Sequence, residues 1–532
     1  MSNCHSPTHD RPALKAADVR SGFLVFLIAL PLCLGIAHAS GFPPVAGVVT
    51  AIVGAVAGLF GGSPLTVKGP AAGLIVVSLG AVAELGGGDP VAGYRRALAA
   101  GAVAAALQIL LALRGVARAG VAVSPSVVHG MLAAIGVIII AKQVHVAVGV
   151  RPEGERTFDL LAEIPRSLAH ANPEIVLLGA TALLIMAGMP LVRARWARAV
   201  PAPLVALAAT VPLGLAFHLG SPHDYHFLGR IHHLGPEHLV QIPGTLLGAV
   251  ALPDFSMVLT AASLKYTVMF ALIGTIESTL TVLAVGSMDP RRRAADLDRD
   301  LLAVGCGNLA AALLGGLPMI SEIVRSKANV DAGAVSRWSN FFHGAFLLLF
   351  VALAPGLLQA VPLAVLAAML VYTGARLASP RELLRVGRIG PDQLALFAIT
   401  MLVTLATDLL IGVAAGLAAE LLLHLRRGVP VGAFLRPRAE ALRDGGTLHV
   451  RIPRAAVFPA LLPLHRTVSG ADGVTRVVID VRDAAVVDHT FLRRVADLSG
   501  QWPITALTFR GLDRLRPVSA HPQATRRRRR RS

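Results

Sequence analysis

Long apolar runs separated by short polar joints dominate residues 20–426. Most runs are about 17–25 residues, the length a helix needs to cross a bilayer. The pattern predicts fourteen membrane segments, near 20–39, 44–60, 65–84, 92–113, 124–143, 174–192, 201–218, 262–286, 298–314, 317–330, 338–354, 360–377, 391–407 and 409–426. Lipid offers the backbone no hydrogen-bond partner, so only helices or closed barrels span it. The runs are rich in Leu, Ala, Val and Gly without strict alternation, which selects helices. After residue 430 the pattern changes. "TLHVRI" (447–452), "RVVIDV" (476–481) and "ALTFRG" (506–511) read as strands, and "DHTFLRRVADLSG" (488–500) as a helix following a strand. The expected organisation is an N-terminal tail (1–19), an all-α polytopic membrane domain (20–428), a small α/β domain (429–515) and a basic disordered tail (516–532) ending in "RRRRRR".

Composition agrees: 55% of residues are hydrophobic, mean hydropathy is +0.67, and 15% are charged, against about 25% charged in soluble chains. The net charge of +18 would suggest nucleic acid if it were clustered on one soluble face. Instead, Lys and Arg concentrate on one set of connections, as the positive-inside rule requires. With the N-terminus inside, Arg114/Arg118, Arg193/Arg195/Arg198, Arg291/Arg292/Arg293/Arg299, Arg337, Arg376/Arg381/Arg385/Arg388 and Arg426/Arg427 all face inside. The outside loop 219–261 holds only Arg230, and the three arginines of 144–173 are balanced by acids. Both termini are therefore expected in the cytoplasm, in the inner membrane. The basic lead, apolar run Gly22–Ala37 and Ala37-His38-Ala39 resemble a cleaved signal, but further spans follow at once and the lead is long, so a retained span is expected. Cys4, Cys33 and Cys306 imply no disulfide framework.

Fourteen spans divide into two sets of seven with opposite orientation. The third of each set is interrupted: residues 65–84 at Gly69-Pro70, and 317–330 within "GGLPMISEIVRSKANV". Paired Gly/Pro breaks at matching places in two halves point to a central transport site. Proline suits a first helical turn, so each segment reads as an extended stretch followed by a helix that starts at depth. A helix N-terminus carries unpaired N–H groups and about half a positive charge. Two such ends facing each other would bind a small anion. The alternative is that the breaks only kink two packed helices. Glu277, inside "FALIGTIESTLTVLAV", is a functional residue by default at this depth and suits proton pickup and release. A static pair with a nearby Lys or Arg is the other option.

"VRSGFLVFLIALPLCLGIAHASGFPP" (19–44), "GPAAGL" (69–74), "GTIESTLTVLAVGSMDP" (274–290) and "DRDLLAVGCGNLAAALLGGLPMISEIVRSKANVDAGAVSRWSNFFHG" (298–344) resemble the SulP (sulfate permease) family, and "VVIDVRDAAVVDHTFL" (477–492) resembles a STAS domain. The resemblance implies a seven-plus-seven inverted repeat in which a core domain carrying the two half-helices slides against a gate domain. It implies substrate-binding positions at Gly69, Pro70, Ala71 and Ala72 and at Ile320, Ser321 and Glu322, with ion-coupling positions at Glu277, Thr281 and Arg325. Lys68 and Glu322 depart from the family's small or polar residues. They are expected to meet across the site, either as a responsive pair or as a fixed ion pair, and Lys68 joins the substrate-binding set. Arg325 either holds the substrate region or pairs with Glu277.

Other polar residues read more plainly. Lys327 is an interfacial anchor, and His129 and Lys142 pack within the fifth span. His218, His223, His226, His232, His233 and His238 belong to a solvated loop with no metal pattern. Thr490 marks a STAS position that is phosphorylated in some domains, although partner binding fits this shortened domain better. The terminal arginines suit anionic lipid. The expected function is a proton-coupled (or sodium-coupled) secondary carrier for sulfate or bicarbonate, with small anion, protons and membrane lipid as partners, no nucleic acid, and a homodimer as the resemblance implies. Alternatives are a passive channel or exchanger, a C4-dicarboxylate carrier, or an anion-sensing receptor. No catalytic constellation appears, so the chain is not expected to be an enzyme, and no cofactor or metal is expected.

Overall fold

The computed structural model describes residues 16–528 apart from 118–123, 155, 194–199, 228, 242–249, 292, 294, 472 and 500–503. Among the described residues, each of the fourteen expected segments is a helix or a short strand leading into one. In chain order these are α1 (Ala16–Ala39), α2 (Pro44–Gly58), β1 (Val67–Pro70), α3 (Ile75–Gly86), α4 (Pro90–Leu113), α5 (Pro125–Ala147), α6 (Pro173–Gly188), α7 (Ala202–Ala216), α8 (Ala261–Met288), α9 (Leu297–Leu313), β2 (Met319–Glu322), α10 (Ile323–Asp331), α11 (Trp338–Leu353), α12 (Leu363–Leu377), α13 (Pro391–Ala406) and α14 (Leu409–Arg426). The helix starts are written in the local sequence. Asp89 accepts from Val91 N and Ala92 N ahead of Pro90 at the first helical position. Asn172 caps α6 ahead of Pro173, and Asp408 caps α14. These side chains satisfy N–H groups that lipid would leave orphaned.

The helices form two packing groups. In one, α1, α2, α4, α8, α9 and α11 surround β1, α3, β2 and α10; in the other, α5 packs with α12, α13, α6 and α14, and α7 lies on α6. The groups touch more sparsely, chiefly where α1 meets α12. Buried Ile36, Leu74, Tyr94, Ile135, Phe270 and Leu317 share the apolar core that lies between them. Small residues set the close helix contacts, as in membranes generally. At the α5–α12 crossing a Cβ on Gly136 would sit 2.5 Å from Gly374 O, and one on Gly374 would sit 2.7 Å from Gly136 O.

The connection between α7 and α8 holds a hairpin, His223–Phe227 against Arg230–Leu234. Beyond α14 the chain builds a four-stranded sheet, β3 (Glu440–Asp444), β4 (Thr447–Arg451), β5 (Arg476–Asp480) and β6 (Ala506–Arg510), in that spatial order. The first pair is antiparallel and the other two are parallel. Helices Leu461–Ser469 and α15 (His489–Ser499) make the crossovers. The tail expected to be disordered from 516 is ordered through 528. Arg516–Pro517 pairs with Arg526–Arg527, which pairs with Val486–Val487, and Thr525 Oγ1 donates to Asp392 Oδ2 at 2.8 Å. The basic composition hid this because the anchoring rests on backbone pairing, a buried threonine and arginine side chains that donate to backbone carbonyls, Arg526 to Leu512 O and Arg528 to Arg482 O. Residues 1–15 and 529–532, which include Cys4 and the end of the arginine run, lie outside the described residues.

The reciprocal glycine contact yields a direct expectation. Gly374→Leu overpacks the α5–α12 crossing, which costs about 1–3 kcal/mol. A lower melting temperature of the detergent-purified protein checks it; an unchanged melt contradicts the close approach.

Candidate functional site

The two sequence breaks meet. β1 and β2 pair antiparallel with Val67 opposite Glu322, Lys68 opposite Ser321, Gly69 opposite Ile320 and Pro70 opposite Met319. Past Pro70, a short 3-10 turn over Ala72–Leu74 leads into α3; past Glu322, α10 begins at once. Because the strands are antiparallel, the two half-helices run away from the ladder in opposite directions with their N-termini inward. The strands thus satisfy backbone groups that a break at this depth would leave bare.

Successive strand residues point to opposite faces. Lys68 and Ser321 share the face turned toward α9. Lys68 is 0% exposed. Its Nζ lies 2.8 Å from Asp300 Oδ1 and 2.9 Å from Ser321 Oγ, and Ser321 Oγ donates to Asp300 Oδ2 at 2.8 Å. The expected Lys68–Glu322 pair is therefore not formed. Register puts Glu322 one step from Ser321, on the opposite face, and Asp300 neutralises Lys68 from behind. Asn308, about two turns further along α9, holds the strand edge: its Oδ1 accepts from Met319 N at 2.6 Å and its Nδ2 donates to Met319 O at 3.1 Å.

Ile320 and Glu322 face a cavity of about 480 Å³, also lined by Ala72, Gly73, Ser126, His129, Glu277 and Thr281. Glu322 caps α10: its Oε2 accepts from Arg325 N at 2.7 Å and lies 3.7 Å from Arg325 Nε. Arg325 is 0% exposed. It reaches across the ladder, where one terminal nitrogen donates to Pro70 O at 2.8 Å and the other lies 3.5 Å from Cys33 Sγ. A Cβ on Gly69 would collide with that guanidinium. Arg325 thus ties one half-helix to the other and does not pair with Glu277.

Glu277 stands apart. It is 8% exposed, and neither carboxylate oxygen has a hydrogen-bond partner among the described residues. It lies against the start of the first half-helix, where a Cβ on Gly73 would sit 1.9 Å from its Oε1. Its neighbour Ser278 accepts from Ser321 N at 2.9 Å, fixing α8 to the ladder.

Of the residues singled out from sequence, Ala72, Ile320, Glu322, Glu277 and Thr281 come together on the cavity. Lys68 and Ser321 lie behind it, Gly69 and Pro70 bear on Arg325, and Ala71 is buried at the turn. His129 lines the cavity and lies 3.5 Å from Glu382, so its place is more central than packing alone. Asp300 was missed. The available signal was an acid on the same helical face as Leu297, Leu301 and Val304, next to the "GCGN" run. The far wall was also missed, because it comes from the C-terminal domain through His489, Arg493, Arg494, Asp497 and His521. Burial in that wall brings the Arg494 guanidinium down to about 10, so it stays cationic at neutral pH.

Fold and site together define a multi-pass membrane protein built around a cavity at two paired half-helices. A family model described as the sulfate permease family matches residues 16–400. A putative sulfate transporter of Bacillus subtilis, YvdB, is 28% identical over 413 residues, 77% of this chain and 73% of that protein. The bicarbonate transporter BicA of Picosynechococcus is 26% identical over 416 residues, 77% of this chain and 70% of that protein. The solved transmembrane domain of a cyanobacterial BicA superposes with a TM-score of 0.61 at 25% identity, covering 76% of this chain and 97% of that one. The murine Slc26a9 anion transporter, solved in the inward-facing state, shares the fold with a TM-score of 0.67 at 14% identity, covering 96% and 90%. The chain belongs to the sulfate permease family, a family of membrane transporters rather than enzymes.

A buried pair that loses one member leaves an uncompensated charge, a loss of about 3–5 kcal/mol. Lys68→Met and Asp300→Leu are each expected to lower the melting temperature of the purified protein sharply. The double variant is expected to recover most of the loss. Additive losses would show that the two side chains do not act as a pair.

Proposed function

We propose that this chain is a secondary carrier for a small inorganic anion, sulfate or bicarbonate, driven by protons. Glu277 carries the reading: it is a buried cavity carboxyl with no hydrogen-bond partner among the described residues, and it lies where the first half-helix presents its N-terminus. The two other charged pairs at the ladder, Lys68 with Asp300 and Arg325 with Glu322, are internally neutral. An anion entering beside an ionised Glu277 meets like charge. Once Glu277 takes a proton, the helix N-terminus is free for the anion. Anion and proton then travel together. Thr281, one turn along α8, supplies a hydroxyl on the same wall, and Ala72, Ile320 and Glu322 bound the substrate position.

The names of the relatives support both substrates and rank neither. The sparse contact between the two helix groups supports an elevator motion in which the group carrying the ladder slides against the other. The distribution of Lys and Arg supports an inner-membrane protein with both termini in the cytoplasm, and the family likeness supports a homodimer. The C-terminal sheet and helices suit a STAS-like domain that binds partners or regulates the carrier. A passive channel fits less well, because a channel has no use for an unpaired buried carboxyl at its centre.

Uptake of labelled sulfate and labelled bicarbonate into proteoliposomes, with and without an inward proton gradient, tests the reading. The gradient is expected to drive accumulation of one anion above its equilibrium level. In Glu277→Gln the anion is expected to equilibrate without responding to the gradient. Gradient-driven accumulation by Glu277→Gln would end the proton role. Gly73→Ala, whose added carbon would overlap the Glu277 carboxylate, is expected to reduce uptake by more than about tenfold while the protein still elutes as a single species; wild-type uptake would show that the Glu277–Gly73 contact is not part of transport.

A further inference from the structure

A second polar cluster is buried where the last membrane helix meets the C-terminal domain. Glu420 and His424 lie one turn apart on α14, a spacing that sets two side chains side by side. Asp488 comes from the C-terminal domain, where its Oδ1 accepts from Phe491 N at 2.6 Å at the start of α15. All three residues are at least 96% buried. His424 Nε2 lies 3.2 Å from Asp488 Oδ2 and 4.0 Å from Glu420 Oε1, and the three candidate ligand atoms all lie within 4.8 Å of one another. The Glu420 carboxyl accepts from two hydroxyls, Thr490 Oγ1 at 3.3 Å from Oε1 and that of Ser124. Among the described residues, Asp488 Oδ2 and both ring nitrogens of His424 have no hydrogen-bond partner, the 3.2 Å approach included.

This arrangement is poorly explained as an ion pair. The His424–Asp488 approach makes no hydrogen bond, and a buried pair needs good hydrogen bonds to offset desolvation. A divalent cation supplies the missing charge and uses the lone pairs that are left over. Bonds of about 2.0–2.2 Å from nitrogen and oxygen to zinc, tetrahedrally arranged, place ligand atoms about 3.3 Å apart. The His424–Asp488 spacing already matches, and Glu420 closes by roughly 0.7 Å on His424 and by up to about 1.5 Å on Asp488. One nitrogen and two oxygens suit zinc among the first-row metals. Three protein ligands leave a fourth position for water.

We infer that Glu420, His424 and Asp488 form a zinc site that fastens the C-terminal domain to the last membrane helix. The site is separate from the transport cavity: none of its three ligands lines that cavity. Zinc here links the position of α15, the cavity's far wall, to α14.

The test uses the full-length protein, free of affinity tag, with His223, His232 and His233 replaced by Ala so that the exposed hairpin cannot bind metal. The chelator-stripped protein is dialysed against low-micromolar zinc, and bound metal is measured by atomic mass spectrometry. One zinc per chain is expected, with a rise in melting temperature. His424→Gln and Asp488→Asn, each keeping a polar group of similar size, are expected to weaken zinc binding more than about tenfold and to abolish the rise. Cobalt in place of zinc is expected to give the intense visible absorption of a four-coordinate site in the parent and not in His424→Gln. If either substitution prevents folding, Glu420→Gln takes its place with the same expectation. Absence of bound zinc in the parent, or equal zinc in parent and variants, overturns the site.

Discussion

The structure depends on one backbone pairing, the four-residue ladder between Val67–Pro70 and Met319–Glu322. An interrupted helix at the centre of a bilayer exposes N–H and C=O groups that lipid cannot satisfy. Here two interruptions, about 250 residues apart in sequence, satisfy each other. The pairing does more than relieve a penalty. It fixes the relative position of two helix N-termini and brings α8, α9 and α2 around them. α9 and α8 add specific locks, Asn308 on the Met319 edge and Ser278 on Ser321 N, and α10 adds Ser326 Oγ, which accepts from Val67 N at 2.9 Å.

The ladder also sorts charge. Strand alternation sends Lys68 and Ser321 to one face and Ile320 and Glu322 to the other. On the rear face Asp300 completes a neutral cluster, and above it Arg325 spans from Glu322 to Pro70 O. These pairs hold the half-helices in place and leave the cavity with one carboxylate whose oxygens are unpaired. That separation of structural charge from uncommitted charge makes the site chemically readable. Two pairs of opposite charge type near the ladder secure geometry, and Glu277 is left without such a partner among the described residues.

Hydropathy and turn chemistry made most of the membrane domain legible. Runs of the right length mark the spans, and Gly69-Pro70 and the "GGLP" stretch mark the breaks. Glu277 was legible as a carboxyl in an otherwise apolar helix. The partner of Lys68 was not, because a choice between Glu322 and Asp300 turns on a register that differs by one residue, and composition carries no register. Arg325 shows the same limit. Its place in the broken segment was legible, but its bond to a backbone carbonyl in the other half of the chain belongs to the pairing alone. The ordered tail was hidden for a different reason: arginine-rich sequence reads as solvated whatever its backbone does.

The C-terminal domain changes what the cavity is. In the membrane domain alone, the space beneath Glu277 would end at His129 and Glu382 on the α5 side. The helix at His489–Ser499 extends it with Arg493, Arg494 and Asp497, and Arg385 adds a further cation opposite. Arg493 and Arg494 share Asp497, and Arg385 lies 3.7 Å from Glu382. Three arginines therefore face two carboxylates, leaving the far wall net positive, before any histidine is charged. A surplus cation at the mouth of a low-dielectric cavity raises the local concentration of anions without binding them tightly. The same wall is anchored to α14 through Asp488 and to α13 through Thr525 and Asp392. Both anchors are on the helix group that packs with α5. If the ladder group moves in transport, this wall stays with the group against which it moves, so the charged mouth keeps its place while the half-helix site travels toward it or away.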